Sequence, residues 1–321
     1  MADATPPTVT DHRKAAVPVL LFVLIVMIWG STWIGIKLQL GSVAPAVSVA
    51  YRFLLAAACM FAWCAVRRTP LRFPGRTHLR FALVGLLQYC INYVLFYYAS
   101  EHMVSGLVSI VFALSVGCNI VNGALFLGRK VKPSVVVAAL VGVLGLVLVF
   151  WEEIVHAGGS RTTALGVMLG VAGTLSFSFG NIVSSKNHQS GLPVVPATAW
   201  SMLYGGLFTT VGCLVTGQEF TLELSARYLA GLVYLAAFGS AIAFVAYLTL
   251  LGRIGPDRAA FATVVFPLVS LTLSTVFEGY RWTSLAFLGV ALILAANAAI
   301  LVGPQLRAAA HTLTGDRSAR P

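Results

Sequence analysis

Within otherwise apolar runs, the chain carries amides and hydroxyls at helical spacing. Ser115, Asn119 and Asn122 recur at i, i+4 and i+7, and Thr174, Ser178, Asn181 and Ser185 draw a similar stripe over about three turns. Another run holds Gln88 and Asn92 beside Tyr89, Tyr93 and Tyr97, and a later one sets Thr263, Ser270 and Ser274 on the face of Pro267. These groups donate and accept hydrogen bonds without being nucleophiles or acids near neutrality, so their chemistry is binding and orientation. An enzyme would need a nucleophile, an acid/base pair or metal ligands at workable spacing. The sequence offers no HExxH, no GxSxG and no glycine-rich phosphate loop, and His12, His78, His102, His156, His188 and His311 fall in tails or at the ends of apolar runs. No cofactor or metal is expected. The five cysteines, Cys59, Cys64, Cys90, Cys118 and Cys213, all lie in apolar runs without a CxxC pair and read as small packing residues.

Two charged residues interrupt those runs. Lys37 lies about 13 Å beyond the middle of its run at the usual helical rise, near the edge of a hydrocarbon core. An ammonium there can reach headgroups along its apolar stem, with Trp33 one turn earlier as a cation–π neighbour. Arg52 is deeper, about 5 Å from the middle of its run, where a charge costs at least about 2.5 kcal/mol. It needs a partner: backbone carbonyls at the end of the first helix, Glu101, or an anionic group of a substrate.

The elements that hold these residues follow from composition. Hydrophobic residues make up 59% of the 321 and charged residues 10%, against about 45–50% and 25% in soluble domains. Ten apolar runs of membrane-crossing length follow one another: Val17–Leu40, Pro45–Val66, Leu79–Ala99, Met103–Leu127, Pro133–Trp151, Ala164–Ser185, Pro196–Thr216, Tyr228–Leu251, Ala259–Phe277 and Ser284–Gly303. The first is preceded by Arg13 and Lys14 but has no small-residue cleavage site after it, so it reads as an uncleaved helix. Connections are short and leave no room for a soluble domain.

Basic residues orient the bundle. With both tails inside, most of the 21 basic residues lie in the tails and inner connections, and the outer side holds only Arg161, Arg227 and Arg281. The formal charge of +11 therefore reflects topology and contact with anionic lipid, and no nucleic-acid partner is expected. Glu101, Glu152, Glu153, Glu219, Glu223 and Glu278 all fall at the outer surface, which disfavours proton coupling through a buried carboxylate.

The runs divide into two halves of five, 17–151 and 164–303, between a tail at 1–16, an outer linker at 152–163 and a tail at 304–321. An odd number of crossings turns the second copy over, an arrangement common in transporters. Local text supports the repeat: Pro45-Ala-Val-Ser and Pro196-Ala-Thr-Ala open the second run of each half, and Leu140-Val-Gly-Val-Leu-Gly and Phe287-Leu-Gly-Val-Ala-Leu recur in the last.

Trp29-Gly-Ser-Thr-Trp in the first run, Tyr51-Arg52-Phe-Leu-Leu-Ala in the second and Phe277-Glu278-Gly near the end of the ninth resemble the EamA-type members of the drug/metabolite transporter superfamily, over essentially all of the ten-run region. The family's glycine–glutamate pair after the fourth run is replaced here by Leu127-Gly128-Arg129-Lys130. The resemblance implies two five-helix repeats around a central cavity, and export of amino acids, other metabolites or drugs.

The expected fold is thus an all-α integral membrane protein of ten helices in two inverted repeats, in the inner membrane with both termini cytoplasmic. The expected function is alternating-access transport of a small amphipathic metabolite such as an amino acid, with export as the direction the resemblance implies. The alternatives are a drug or cation efflux carrier and a non-transporting receptor or structural protein. Partners are a small-molecule substrate and the bilayer; nothing specifies an oligomer, and a monomer fits. Two readings of the polar stripes stand side by side, cavity lining and hydrogen-bonded glue between helices. As lining, the candidates are Gln88, Asn92, Ser115, Asn119, Asn122, Thr174, Ser178, Asn181, Thr263 and Ser270. Trp33, Tyr89, Tyr93, Phe112, Tyr247 and Phe266 would pack an apolar group, Arg52 or Lys37 would meet a carboxylate, and Pro267 would kink a gate. Gly166 and Gly170 read as a close-packing pair.

Overall fold

The computed structural model describes residues 9–128, 131–152, 161–254, 259 and 261–313. Arg129, Lys130, Glu153 and Arg258, the ends of both tails and most of the outer linker lie outside these residues. The described residues form α1 Val9–Gln39, α2 Pro45–Val66, α3 Gly75–His102, α4 Ser105–Leu127, α5 Pro133–Val149, α6 Arg161–Gln189, α7 Val194–Val215, α8 226–254, α9 Ala262–Phe277 and α10 Ser284–Leu313. Eight are long and apolar enough to cross a membrane, and α5 and α9 are shorter apolar helices. Helix α1 begins within the polar tail, before the apolar segment that starts at Val17, and α10 runs on past Gly303. Polar residues can prolong a helix once the apolar part has nucleated it.

Helix ends follow local chemistry. Pro45 and Pro133 stand in the first turns of α2 and α5, where a missing N–H costs nothing. Helices α2 and α7 end alike: a residue with positive φ, Arg68 at 51° or Gly217 at 68°, is followed by an N–H that returns to the carbonyl of Cys64 or Cys213, each at 2.9 Å. Counting back from these ends, Arg52 and Ser201 occupy equivalent positions in the two helices.

The repeats interlock. Helix α2 packs on α7, α5 on α10 and α4 on α9; α3 against α6 is mirrored by α8 against α1, and α4 against α6 by α9 against α1. Exchanging each helix for its counterpart five places on thus reproduces the packing. Contact is close where glycines meet: a Cβ on Gly289 would lie 2.4 Å from the Gly145 carbonyl oxygen, between α5 and α10. Gly166 and Gly170 likewise pack against Met103 and Val111. One continuous core includes Ile25, Trp33, Phe53, Phe96, Val108 and Leu235. Residues such as Leu20, Leu79, Leu125, Val215 and Val276 stay largely exposed on the outside, a surface suited to lipid.

The counterpart helices α3 and α8 share a further feature. Each contains a π-helical turn, Gly85–Ile91 and Tyr234–Ile242. Inserted turns of this kind re-aim side chains and recur at functional sites.

Candidate substrate cavity

A cavity of about 930 Å³ lies between the repeats. On α1 it is lined by Trp29, Thr32, Trp33 and Ile36 and no further along; on α3 it ends at Phe96, and on α4 and α6 it begins at Phe112 and Phe177. Its other end reaches Lys132 and His188 at the helix ends that carry the basic connections. The cavity therefore opens toward the basic side and stops at an aromatic layer. Trp33 is the centre of that layer, with ring centroids 5.3 Å from Phe96, 5.8 Å from Phe112 and 6.4 Å from Phe266, the last nearly parallel. Tyr247 meets Trp29 at 5.1 Å lower on the wall.

On the same, open side of the aromatic layer α3, α4 and α6 are joined by amides. The Gln88 amide donates to Asn181 Oδ1, and the Asn181 amide donates to Asn119 Oδ1 at 3.2 Å. All three line the cavity, with Ser115, Asn92, Thr263 and Ser185. The chain of amides uses one group of Gln88 and one of Asn119, so each end retains hydrogen-bonding capacity at the wall. Asn92 lines the cavity and also donates to the Gly173 carbonyl at 2.9 Å, a link between α3 and α6.

Toward the closed end the cavity wall carries Arg52, 1% exposed. Its guanidinium lies 4.6 Å from the Tyr93 ring centroid and 5.4 Å from that of Phe53. Tyr93 and Phe53 are themselves packed at 4.6 Å, and Tyr89 lies 5.2 Å from Phe53. Arg52 Nη2 donates to Ser240 Oγ at 3.4 Å, while Nε and Nη1 have no hydrogen-bond partner. The π-helical turn of α8 sets up this contact. Ser240 Oγ donates to the Leu235 carbonyl five residues back, and Gly239 leaves room for Thr32, whose Cγ2 a Cβ there would approach to 2.6 Å.

Several sequence expectations change. Neither of the protein partners weighed for Arg52 meets it: Glu101 is exposed and acts on Lys37, and the acceptor found is Ser240. Lys37 does not line the cavity. It lies beyond the aromatic layer with Nζ 4.0 Å from Glu278 Oε1, while Trp33 turns inward among phenylalanines. Glu278 is not a surface carboxylate; its side chain is 11% exposed and accepts from the Ser105 N–H at 3.0 Å, the Ser105 hydroxyl and the Ser274 hydroxyl. The stripes also split. Asn122 of α4 donates to Ser178 Oγ of α6 at 2.8 Å, and Thr174 donates within α6 to the Gly170 carbonyl at 2.9 Å and across to the Val111 carbonyl of α4 at 3.5 Å, so these three serve the α4–α6 contact and do not line the cavity. Ser270 is buried in α9 away from the lining, and Pro267 stands inside α9. Sequence reasoning missed Thr198 and Ser201 on α7, which line the cavity one turn apart, and Gly239 and Ser240 on α8. The Thr198/Ser201 spacing was a readable signal; the π-helical turn was not.

The model of a family described as the EamA-like transporter family matches residues 16–151 and again 164–302. The "Uncharacterized inner membrane transporter YedA" of Escherichia coli strain K12 is 28% identical over 289 residues, 89% of this chain and 90% of that protein. A "Probable amino-acid metabolite efflux pump" of the same strain is 28% identical over 291 residues, 85% of this chain and 91% of that one. Among solved structures, one described as a crystal structure of protein superposes with a TM-score of 0.64 at 18% identity, covering 90% of this chain and 98% of the other; that likeness concerns the fold.

Proposed function

The chain belongs to the EamA-like transporter family as a multi-pass membrane protein with two family repeats, and we propose that it is an inner-membrane exporter of a small amphipathic metabolite such as an amino acid. The observation that carries this reading is the cavity itself, which combines an aromatic end at Trp33 with neutral amides at Gln88, Asn181 and Asn119 midway along the bundle. An aromatic or aliphatic side chain fits the first and a polar backbone the second. With both termini cytoplasmic, the open end faces the cytoplasm and the layer of Trp33, Phe96, Phe112 and Phe266 seals the outer side. Alternating access then requires that layer to part while the basic end closes. A relative named as a probable amino-acid metabolite efflux pump supports export as the direction.

The cation-efflux reading is less well supported. Among the described residues that line the cavity there is no Asp or Glu to offset a cation's desolvation, whereas Arg52 stands on the wall. The test is counterflow in vesicles reconstituted with the full chain, preloaded with each amino acid in turn and with cationic dyes. Saturable exchange of at least one amino acid is expected. Exchange of cations alone would overturn the proposal.

A further inference from the structure

The sealed, positively charged corner of the cavity has more to say. Arg52 is the largest fully buried side chain among the described residues, and its charge sits in the wall of a cavity whose described lining includes no carboxylate. A structural arginine at such depth has its donors satisfied, because a buried N–H without an acceptor loses the full cost of leaving water. Here a single long contact to Ser240 serves Nη2, and the Nε and Nη1 donors are left over. The rings of Tyr93 and Phe53 lie on one side of the guanidinium, within cation–π distance of it and packed on each other, and they provide no in-plane acceptor for its N–H groups. The Tyr97 phenol faces the same group: it donates its proton to Gln39 Oε1 at 2.7 Å, and its oxygen stays available to one guanidinium N–H, so at most part of the guanidinium's donor set is met by the protein.

From this we infer that Arg52 is an anion subsite of the cavity, and that the transported molecule presents a carboxylate to it. The inference rests on the carrier reading above and narrows its substrate class to small monocarboxylates with an apolar body. A carboxylate matches the planar edge of a guanidinium. Single charge is matched by single charge: the other basic residues on the described lining, Lys132 and His188, stand at the open end, so a doubly charged phosphate would be left half compensated in the closed corner. Ile36, Phe96 and the Trp33 ring line the same end of the cavity, so a carboxylate and an apolar group are both accommodated there. Counting from the helix ends, the equivalent position of the second repeat is Ser201, also on the wall, so the anion subsite belongs to one repeat only and gives the substrate a fixed orientation.

Benzoate and its uncharged counterpart benzamide probe this directly. Saturable thermal stabilisation of the full chain in lipid nanodiscs is measured with each, for the unmodified protein, Arg52→Gln and Arg52→Lys. Benzoate should bind about ten- to a hundredfold more tightly than benzamide, as a charge-assisted pair implies. Arg52→Gln should abolish the preference, and Arg52→Lys should retain part of it, since lysine keeps the charge but not the planar fork. If Arg52→Gln does not fold, Arg52→Lys decides alone, because an undiminished preference there overturns the inference. So does equal binding of the two probes to the unmodified protein. The two readings fail separately. Arg52-dependent benzoate binding without exchange of any amino acid would sink the amino-acid carrier and leave the subsite, whereas exchange of amino acids undiminished in Arg52→Gln would do the reverse.

Discussion

Lys37 of the first repeat and Glu278 of the second form an ion pair, Nζ to Oε1 4.0 Å, on the far side of the aromatic layer from the cavity. Glu278 stands at the end of α9 and also accepts from the backbone N–H of Ser105 at the start of α4, so one carboxylate joins α1, α4 and α9. The lysine is a quarter exposed and its contact is long, whereas the carboxylate is nearly buried and accepts several hydrogen bonds. The two partners should therefore matter unequally. Lys37→Gln is expected to cost at most about 1 kcal/mol, and Glu278→Gln about 1.5–3 kcal/mol through weakened bonds to Ser105 and Ser274. Thermal or denaturant unfolding in nanodiscs measures both, and equal losses would show that the ion pair rather than the cap on α4 is what Glu278 supplies.

The amides divide into two groups with opposite expectations. Asn181→Leu breaks both links of the Gln88–Asn181–Asn119 chain at the cavity wall, and should lower exchange per folded molecule at least about tenfold, beyond the stability lost with the two interhelical bonds. Asn122→Leu removes only the bond to Ser178 between α4 and α6, off the cavity, and should cost about 0.6–2 kcal/mol of stability with exchange per folded molecule preserved. Reversed outcomes for the pair would mean that the cavity lining has been misread.

How far this division was legible in the sequence depends on what each feature needs. The ten crossings are a matter of apolar length along one dimension, and the structure places every helix within a few residues of its run apart from the extended ends of α1 and α10. The depth of Arg52 was equally a matter of counting. The side on which Thr174 and Ser178 fall, against Asn181, depends on where α4 crosses α6, which no periodicity within α6 contains. The π-helical turns shift the phase of α3 and α8 part-way along, so Ser240 reaches Arg52 from a helix whose pattern gave no sign of it. Glu278 looked like a surface residue because it ends a helix; its burial comes from the start of α4 being brought against it.

Two glycines test packing and cavity shape independently. Alanine at Gly180 would set its Cβ 2.4 Å from Gln88 Cγ, a side chain able to move, so the expected effect is displacement of Gln88 from Asn181 and reduced exchange in a folded protein. Alanine at Gly289 would meet the Gly145 carbonyl oxygen and Val149 backbone N, which cannot yield without parting α5 and α10. Overpacking of that kind costs about 1–3 kcal/mol. Unfolding midpoints together with exchange rates check both, and a Gly289→Ala protein as stable as the parent would contradict the close helix contact.

Which compartment the cavity opens to follows from the basic connections, and single-cysteine labelling in a cysteine-free background reads it directly. Arg72 and Glu219 are both exposed, the first between α2 and α3 and the second between α7 and α8, the counterpart connection of the other repeat. Five crossings separate each element from its counterpart, so the two positions must lie on opposite sides of the membrane whichever way the protein inserts. The excess of Lys and Arg around the α2–α3 connection then assigns it to the cytoplasm. A membrane-impermeant maleimide applied to intact cells should label position 219 and leave position 72 unlabelled until the membrane is opened. Labelling of both from one side would contradict the inverted repeat itself. Labelling of position 72 alone in intact cells would keep the repeat but turn the molecule over, so that the cavity lined by Arg52 and the amide chain would face the outside and the proposed direction of transport would have to be reversed.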